Sequence, residues 1–209
     1  MINHLSAFSS RFAPIISEIG SERLPSLLVS MLKGLVPFDN AVIVHYHGGE
    51  KPVVHYNDIP PLERESQIDG FVNGAFLLDP FYRAAIDLRC RGLHRLSDLA
   101  PEGFKKTEYY RSYFKFTEIK DEIGYIIHLS NNQFINISLG RLGLTQRFNR
   151  TQLGILKDIE PIIESICNLQ WDSKDKNISD KTNELPGQLD SALKYFGTAY
   201  LTDRETQVV

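Results

Sequence analysis

The chain has 209 residues, 42% hydrophobic and 11% aromatic, enough for one substantial core and a smaller appendage. Its formal net charge of −3 counts against a broad nucleic-acid grip, and no run of ~18 apolar residues offers a helical membrane span. Met1-Ile2-Asn3-His4 lacks the basic and apolar regions of a signal peptide, and Cys90 and Cys167 lie far apart without metal-like spacing, so the expectation is a cytoplasmic chain with two buried thiols.

From about Leu5 to Leu35 apolar residues recur at helical spacing, including Phe12, Ile15, Ile16 and Ile19, then Leu24, Leu28, Leu32 and Leu35. Gly20-Ser21 divides two helices, with Ser21 as the cap of the second, Pro25 in its first turn, and Gly34 with Pro37 closing it. Residues 41–47 are β-branched and aromatic, Gly48-Gly49 makes a turn, and 52–56 returns, which predicts a β-hairpin. Residues 61–89 read as helix with a bend at Asp79-Pro80, because proline disfavours helix at the residue before it. A short strand at 93–96 precedes an aromatic stretch containing Tyr109, Tyr110, Tyr113, Phe114 and Phe116. Strands then run from Glu122 to Leu129 and from Phe134 to Arg141, joined by a turn at Asn131-Asn132. A final helix spans about Asn149 to Trp171, kinked at Pro161, with Leu153, Leu156, Ile159, Ile163, Ile166 and Leu169 on one face. This order predicts an α+β fold, an antiparallel sheet of about five strands flanked by helices.

Residues 1–171 are thus expected to form one domain, 172–186 a polar linker, and 187–209 a connecting helix with the start of a further domain. The last nine residues are the sharpest signal. Thr202 is a good N-cap, Glu205 completes a capping box, and Val208 and Val209 begin a buried face. With Leu201 and Arg204 this segment resembles the opening of the LuxR-type helix-turn-helix domain, Leu-Thr-x-Arg-Glu. The order of elements before it resembles the GAF/PAS-like sensory domains, including the autoinducer domains that precede LuxR-type units. The resemblance implies a transcription regulator that meets DNA only through a C-terminal domain cut just after it starts, since the recognition helix is not in these residues.

Catalysis has little support: there is no P-loop, no Gly-x-Ser-x-Gly and no His-Glu-x-x-His. His45 and His47 share a strand face, but no Cys, Asp or Glu is placed to complete a metal site, so neither metal nor cofactor is expected. A pocket is better supported. Phe76, Asp79 and Tyr82 set an acid among large apolar residues at a bend, and Asp79-Pro80 resembles a pair in LuxR autoinducer domains whose aspartate contacts the ligand amide. In that subfamily tryptophan shares the pocket, whereas Trp171 here ends the last helix. Tyr46, Tyr110, Tyr113 and Phe114 are candidate walls, or a core edge with hydroxyls at the surface. Of Asp121 and Glu122, adjacent on one strand, only one can point inward.

Aromatics with carboxylates suit a small amine or other cationic effector. A neutral hydrogen-bonding ligand fits nearly as well, and Arg83, Arg89 or Arg111 leaves an acidic one open. The expected function is the effector-sensing domain of a LuxR-type regulator, a homodimer through the stripe on the final helix. The alternatives are an acyl-homoserine-lactone receptor domain, a ligand-free interaction module, and an enzyme on a GAF-like scaffold.

Overall fold

The computed structural model describes residues 2–143 and 145–172. The linker, the connecting helix and the segment carrying Leu201, Thr202, Arg204 and Glu205 lie outside the described residues, apart from Asp172.

Helices α1 (Ile2–Ser17) and α2 (Leu24–Leu35) lead into the hairpin β1 (Asn40–Tyr46) and β2 (Val53–Asn57). A run of short turns follows: a π turn at Glu65–Asp69, α3 (Gly70–Val72), a 3-10 turn at Ala75–Leu78, and α4 (Pro80–Asp87). After β3 (Gly92–Arg95) come α5 (Leu96–Leu99), a 3-10 turn at Phe104–Lys106, α6 (Glu108–Ser112) and another 3-10 turn at Phe114–Thr117. The strands β4 (Ile119–His128) and β5 (Phe134–Leu142) and the helices α7 (Arg150–Asp158) and α8 (Glu160–Cys167) complete the described fold, which a π turn at Asn168–Asp172 closes. The five strands form one antiparallel sheet in the order β2-β1-β5-β4-β3, which places the two longest strands beside each other near its middle. This is the expected α+β class.

Strand alternation divides the core in two. Ile43, Ile123, Tyr125, Ile135, Ile137 and Leu139 face α2, α7 and α8, and are fully buried there with Leu28, Leu32, Leu156 and Ile163. Val44, Tyr46, Ile126 and Phe134 face the other way, onto Phe76, Phe81, Ala84, Ala85 and the aromatic stretch. Asn131 and Asn132 both take left-handed backbone angles (φ 56° and 59°) in the β4–β5 turn, a conformation asparagine tolerates and the twist of a hairpin favours.

Four local expectations change. Ser21 does not cap α2: the helix starts at Leu24 with Pro25 in its first turn, and the Ser21 hydroxyl donates instead to Glu18 (2.7 Å). Gly34 lies inside α2 rather than after it. The segment 61–89 is not one bent helix, because Gly74, at φ 162°, breaks it before Asp79-Pro80 does. The final helix is two, parted at Ile159, with Pro161 tolerated in the first turn of α8 where no donated bond is lost. Asn149 and Gln152 close a full capping box on α7.

The proposed dimer stripe is also reassigned. Leu156, Ile159, Ile163 and Ile166 are 0–9% exposed against the sheet, so this face is already covered by the chain's own core and offers nothing to a second copy. Of the six stripe residues Leu169 is the most exposed, at 53%. No helix among the described residues is long and apolar enough to cross a membrane.

Candidate functional site: two buried carboxyls in one cavity

The second face of the sheet does not close completely. Between it and the aromatic segments lies a cavity of about 60 Å3. Its floor is polar because β5 places Asn136, Ser138 and Gly140 on this face, while Ile135, Ile137 and Leu139 point into the other layer. Glu122 and Gly124 face the same way from β4, and Asn40 from β1. The two glycines keep the floor open: a Cβ on Gly124 would stand 2.9 Å from Asn136 Oδ1, and one on Gly140 would overlap Asn40 Oδ1. The roof is apolar and aromatic, formed by Ile68, Phe71, Tyr109, Tyr113 and Phe114.

Asp79 enters from the end of the Ala75–Leu78 turn. Its extended backbone (φ −65°, ψ 127°) is the conformation that the following proline imposes, and Oδ1 accepts from the Phe81 amide (2.9 Å), which caps α4. The Asp-Pro pair is therefore both a helix start and the means by which a carboxyl is aimed inward. Asp79 is 4% exposed, and burial pushes its pKa from 3.8 up to about 7 against the opposing Phe81 hydrogen bond. Glu122 is only half-buried by surface, because it stands between this cavity and an outer hollow, yet protein surrounds its carboxyl. Burial first, and then the charge of Asp79, push it up to about 8, with a hydrogen bond from Ser138 opposing. Near neutrality the two carboxyls therefore keep a substantial share of their protons, Glu122 more than Asp79. Among the described residues no lysine, arginine or histidine lines the cavity.

Polar groups around the two acids are incompletely satisfied. Asn136 Nδ2 donates to Ser138 Oγ (3.3 Å), but Asn136 Oδ1 is buried with no hydrogen-bond partner, as is the Tyr46 hydroxyl. Tyr113 donates to the carbonyl of Gln67 (2.7 Å), which anchors the aromatic segment to the Glu65–Asp69 turn. Burial raises the pKa of Tyr46, Tyr109 and Tyr113 further above the usual phenol range, and the two carboxyls add to this, so all three remain hydroxyls at neutral pH. The cavity offers hydrogen-bond donors and acceptors in a largely apolar shell, the pattern of a small-molecule site.

Of the nine candidates from the sequence, Asp79, Tyr113, Phe114 and Glu122 line this cavity. Tyr46 stands behind them, stacked on Phe134 (4.4 Å between centroids), with Tyr82 at 5.2 Å and Phe76 at 6.1 Å. Tyr110 lines the outer hollow. Asp121 points to the opposite side of β4, where it accepts from the Phe148 amide (2.8 Å) and pairs with Arg95 (3.3 Å). Tyr109, Asn40, Asn136 and Ser138 line the cavity and were not among the nine. Alternation along residues 134–140 was the signal for the last two, since it sets Asn136 and Ser138 on one face.

The other candidate groups are occupied elsewhere. The rings of His45 and His47 lie 3.8 Å apart and tilted by 36°, with His55 Nε2 3.4 Å from His45 Nδ1, and burial with the neighbouring His47 pushes His45 down to about 3. Among the described residues no group of three His, Cys, Asp or Glu is arranged for a metal ion. Arg83 pairs with Asp87 (2.8 Å) and Arg111 with Glu108 (3.6 Å) at the surface, and neither these two nor Arg89 lines the cavity.

This architecture, a five-stranded sheet with a cavity on one face, has solved counterparts. The ligand-binding domain of VqsR from Pseudomonas aeruginosa superposes with a TM-score of 0.65 at 23% identity, covering 78% of this chain and 96% of that one. CepR2 from Burkholderia cenocepacia, described as an N-acylhomoserine lactone dependent LuxR-family transcription factor, superposes at 0.59 with 9% identity over 83% of this chain and 98% of that one. SdiA from Escherichia coli gives 0.54 at 12% identity over 95% and 81%. The chain has the fold of the ligand-binding domains of LuxR-family regulators. In sequence it is 26% identical over 135 residues, 62% of its length and 68% of the other's, to an Aeromonas salmonicida protein named as an HTH-type transcriptional regulator in the exeN 3′ region. No family model matches the chain.

Proposed function

We propose that this chain is the sensing domain of a LuxR-type transcription regulator, and that the cavity receives a small polar effector, an amine by preference. The observation that carries this reading is the pair Asp79 and Glu122, both facing one cavity whose lining, among the described residues, includes no cationic side chain. Two buried carboxyls that have hydrogen bonds but no countercharge resist ionisation until a ligand supplies one. An ammonium group would do so by ion pairing, with Tyr109, Tyr113 and Phe71 as aromatic walls. A neutral donor could use the same oxygens more weakly.

In this reading the effector binds one arrangement of the domain more tightly and shifts its population. The shift is transmitted through the segment after Asp172 to a helix-turn-helix domain beginning at Leu201, and a homodimer in the cytoplasm presents two such domains to two half-sites. DNA is met only by residues of that domain. No catalytic step is assigned to the cavity.

A second reading follows from the similarity to CepR2: Asp79 could accept the amide of an acyl-homoserine lactone. One fact weighs against it: Trp171 packs at 5.1 Å from His55 in the other core layer, so no tryptophan lines the cavity.

A thermal-shift screen against small amines, polyamines, amino acids, aromatic acids and acyl-lactones tests the proposal. A ligand that binds only the folded state at ~100 times its Kd adds about 2.7 kcal/mol, a rise of several degrees. An amine hit lost in Asp79→Asn is the expected result. A hit confined to acyl-lactones would overturn the amine preference.

A further inference from the structure

The inner cavity has room for the hydrogen-bonding end of an ordinary metabolite and little more. At about 60 Å3 it is well below the ~300 Å3 at which ordinary ligand sites begin. Directly outside it lies a second hollow of about 730 Å3. The two share Phe114, Ile119 and Glu122, so they abut at these side chains.

The chemistry of the outer hollow is the reverse of the inner one. Lys105, Lys106, Lys115, Lys120 and Arg147 line it, and all five are exposed. None of them forms an ion pair among the described residues, and Lys115 has only the Phe116 ring, 4.6 Å away. Three acids line the same hollow. Asp121 is already engaged by Arg95 and the Phe148 amide, and Glu122 hydrogen-bonds Ser138 on the inner floor. Glu118 is what remains to oppose five cations. A chain of net charge −3 thus gathers unpaired positive charge around one concave surface, where low-dielectric walls focus its field.

We infer that the outer hollow is an oxyanion subsite, which holds a carboxylate or phosphate of the same small molecule whose hydrogen-bonding end enters the inner cavity. The joint site would then select a molecule with a donor at one end and an anion at the other. A small molecule is favoured over a nucleic-acid backbone because the hollow continues inward to Glu122 instead of running along the surface. The joining of the two halves rests on the proposed effector role of the inner cavity; anion binding outside does not, and the test separates them.

The full 209-residue chain is titrated with inorganic pyrophosphate and followed by amide NMR. Saturable shifts confined to the Lys105–Lys106 turn, residues 115–120 and Arg147 are expected. In Lys115→Glu/Lys120→Glu the affinity should drop at least tenfold while the melting temperature holds; if that variant does not fold, Arg147→Glu serves instead. Asp79→Asn should leave pyrophosphate affinity unchanged, so failure of the inner-site reading would not disturb this result. Scattered shifts, unaltered affinity in the charge-reversal variants, or tighter binding of a random DNA duplex to the same residues would overturn the inference. For the joint site, γ-aminobutyrate should bind at least tenfold more tightly than butylamine or butyrate. Equal affinities would overturn the joining of the two halves.

Discussion

Replacing Asp79 by asparagine should make the protein more stable at alkaline pH and almost no different at acidic pH. The substitution keeps size and shape, and asparagine is as good an N-cap as aspartate, so the bond from the Phe81 amide survives. What it removes is an ionisation. In the fold Asp79 holds its proton until about pH 7, whereas the unfolded chain releases it near 3.8. Between those values the folded state binds more protons than the unfolded one, so the wild type loses stability as pH rises, and the loss levels off above the folded pKa. With ~1.4 kcal/mol per pH unit, the fully developed cost is about 4 kcal/mol, of which roughly 2–3 kcal/mol accrues between pH 5 and pH 8. For a domain of this size ~1 kcal/mol moves Tm by about 2–4 °C, so the gap between variant and wild type should widen by about 5–10 °C over that window. Calorimetry or circular-dichroism melts at half-unit pH intervals read it directly. Parallel pH profiles for the two proteins, or a variant less stable than wild type at pH 8, would refute the reasoning.

Other consequences can be checked in the same way. Glu122→Gln should act in the same direction, and combined with Asp79→Asn it should flatten the pH profile of Tm further, because part of the Glu122 rise comes from the charge of Asp79. Arg141→Met should lower stability by about 3–5 kcal/mol in urea unfolding, since buried Arg141 donates to the carbonyls of Pro37 (2.8 Å), Gln146 and Arg147 and leaves them unpaired when removed. Tyr125→Phe should cost about 1–2 kcal/mol by the same assay, because its hydroxyl donates to the Leu156 carbonyl (2.7 Å) inside the first core layer. Gly124→Ala should cost about 1–3 kcal/mol and weaken any cavity ligand, because the new methyl group meets Asn136 Oδ1 and Phe81 at 2.9 Å.

The sheet was legible because its strands are β-branched runs whose alternation matches a two-faced sheet, and because Gly48-Gly49 and Asn131-Asn132 mark their turns. The segment 61–89 was less so. Helical periodicity there survives in short pieces, but Gly74 and Pro80 break the backbone bonds that would join them. The stripe on α7 and α8 shows a different limit: amphipathic spacing says that a face is buried, not whether a sheet or a second copy buries it. Within the candidate site Asp79 stood out because a carboxyl before proline at a bend is chemically distinctive. Asn136 and Ser138 did not, since polar residues alternating with isoleucine and leucine on a strand ordinarily mark a solvated face. Here that face lies under the aromatic segments, and long-range packing of residues 65–117 onto β1, β4 and β5 made it an interior surface.

The central claim is that Asp79 and Glu122 together receive the effector. Calorimetric titration of the best-binding amine from the screen, repeated at pH 7 in buffers of different ionisation enthalpy, tests it most directly because it counts protons. If the ammonium group settles between carboxyls that held their protons, binding must release about one proton or more per ligand, and Glu122→Gln must reduce that release. Tight binding with no proton exchange, unchanged in Asp79→Asn and Glu122→Gln, would place the effector elsewhere and contradict the account.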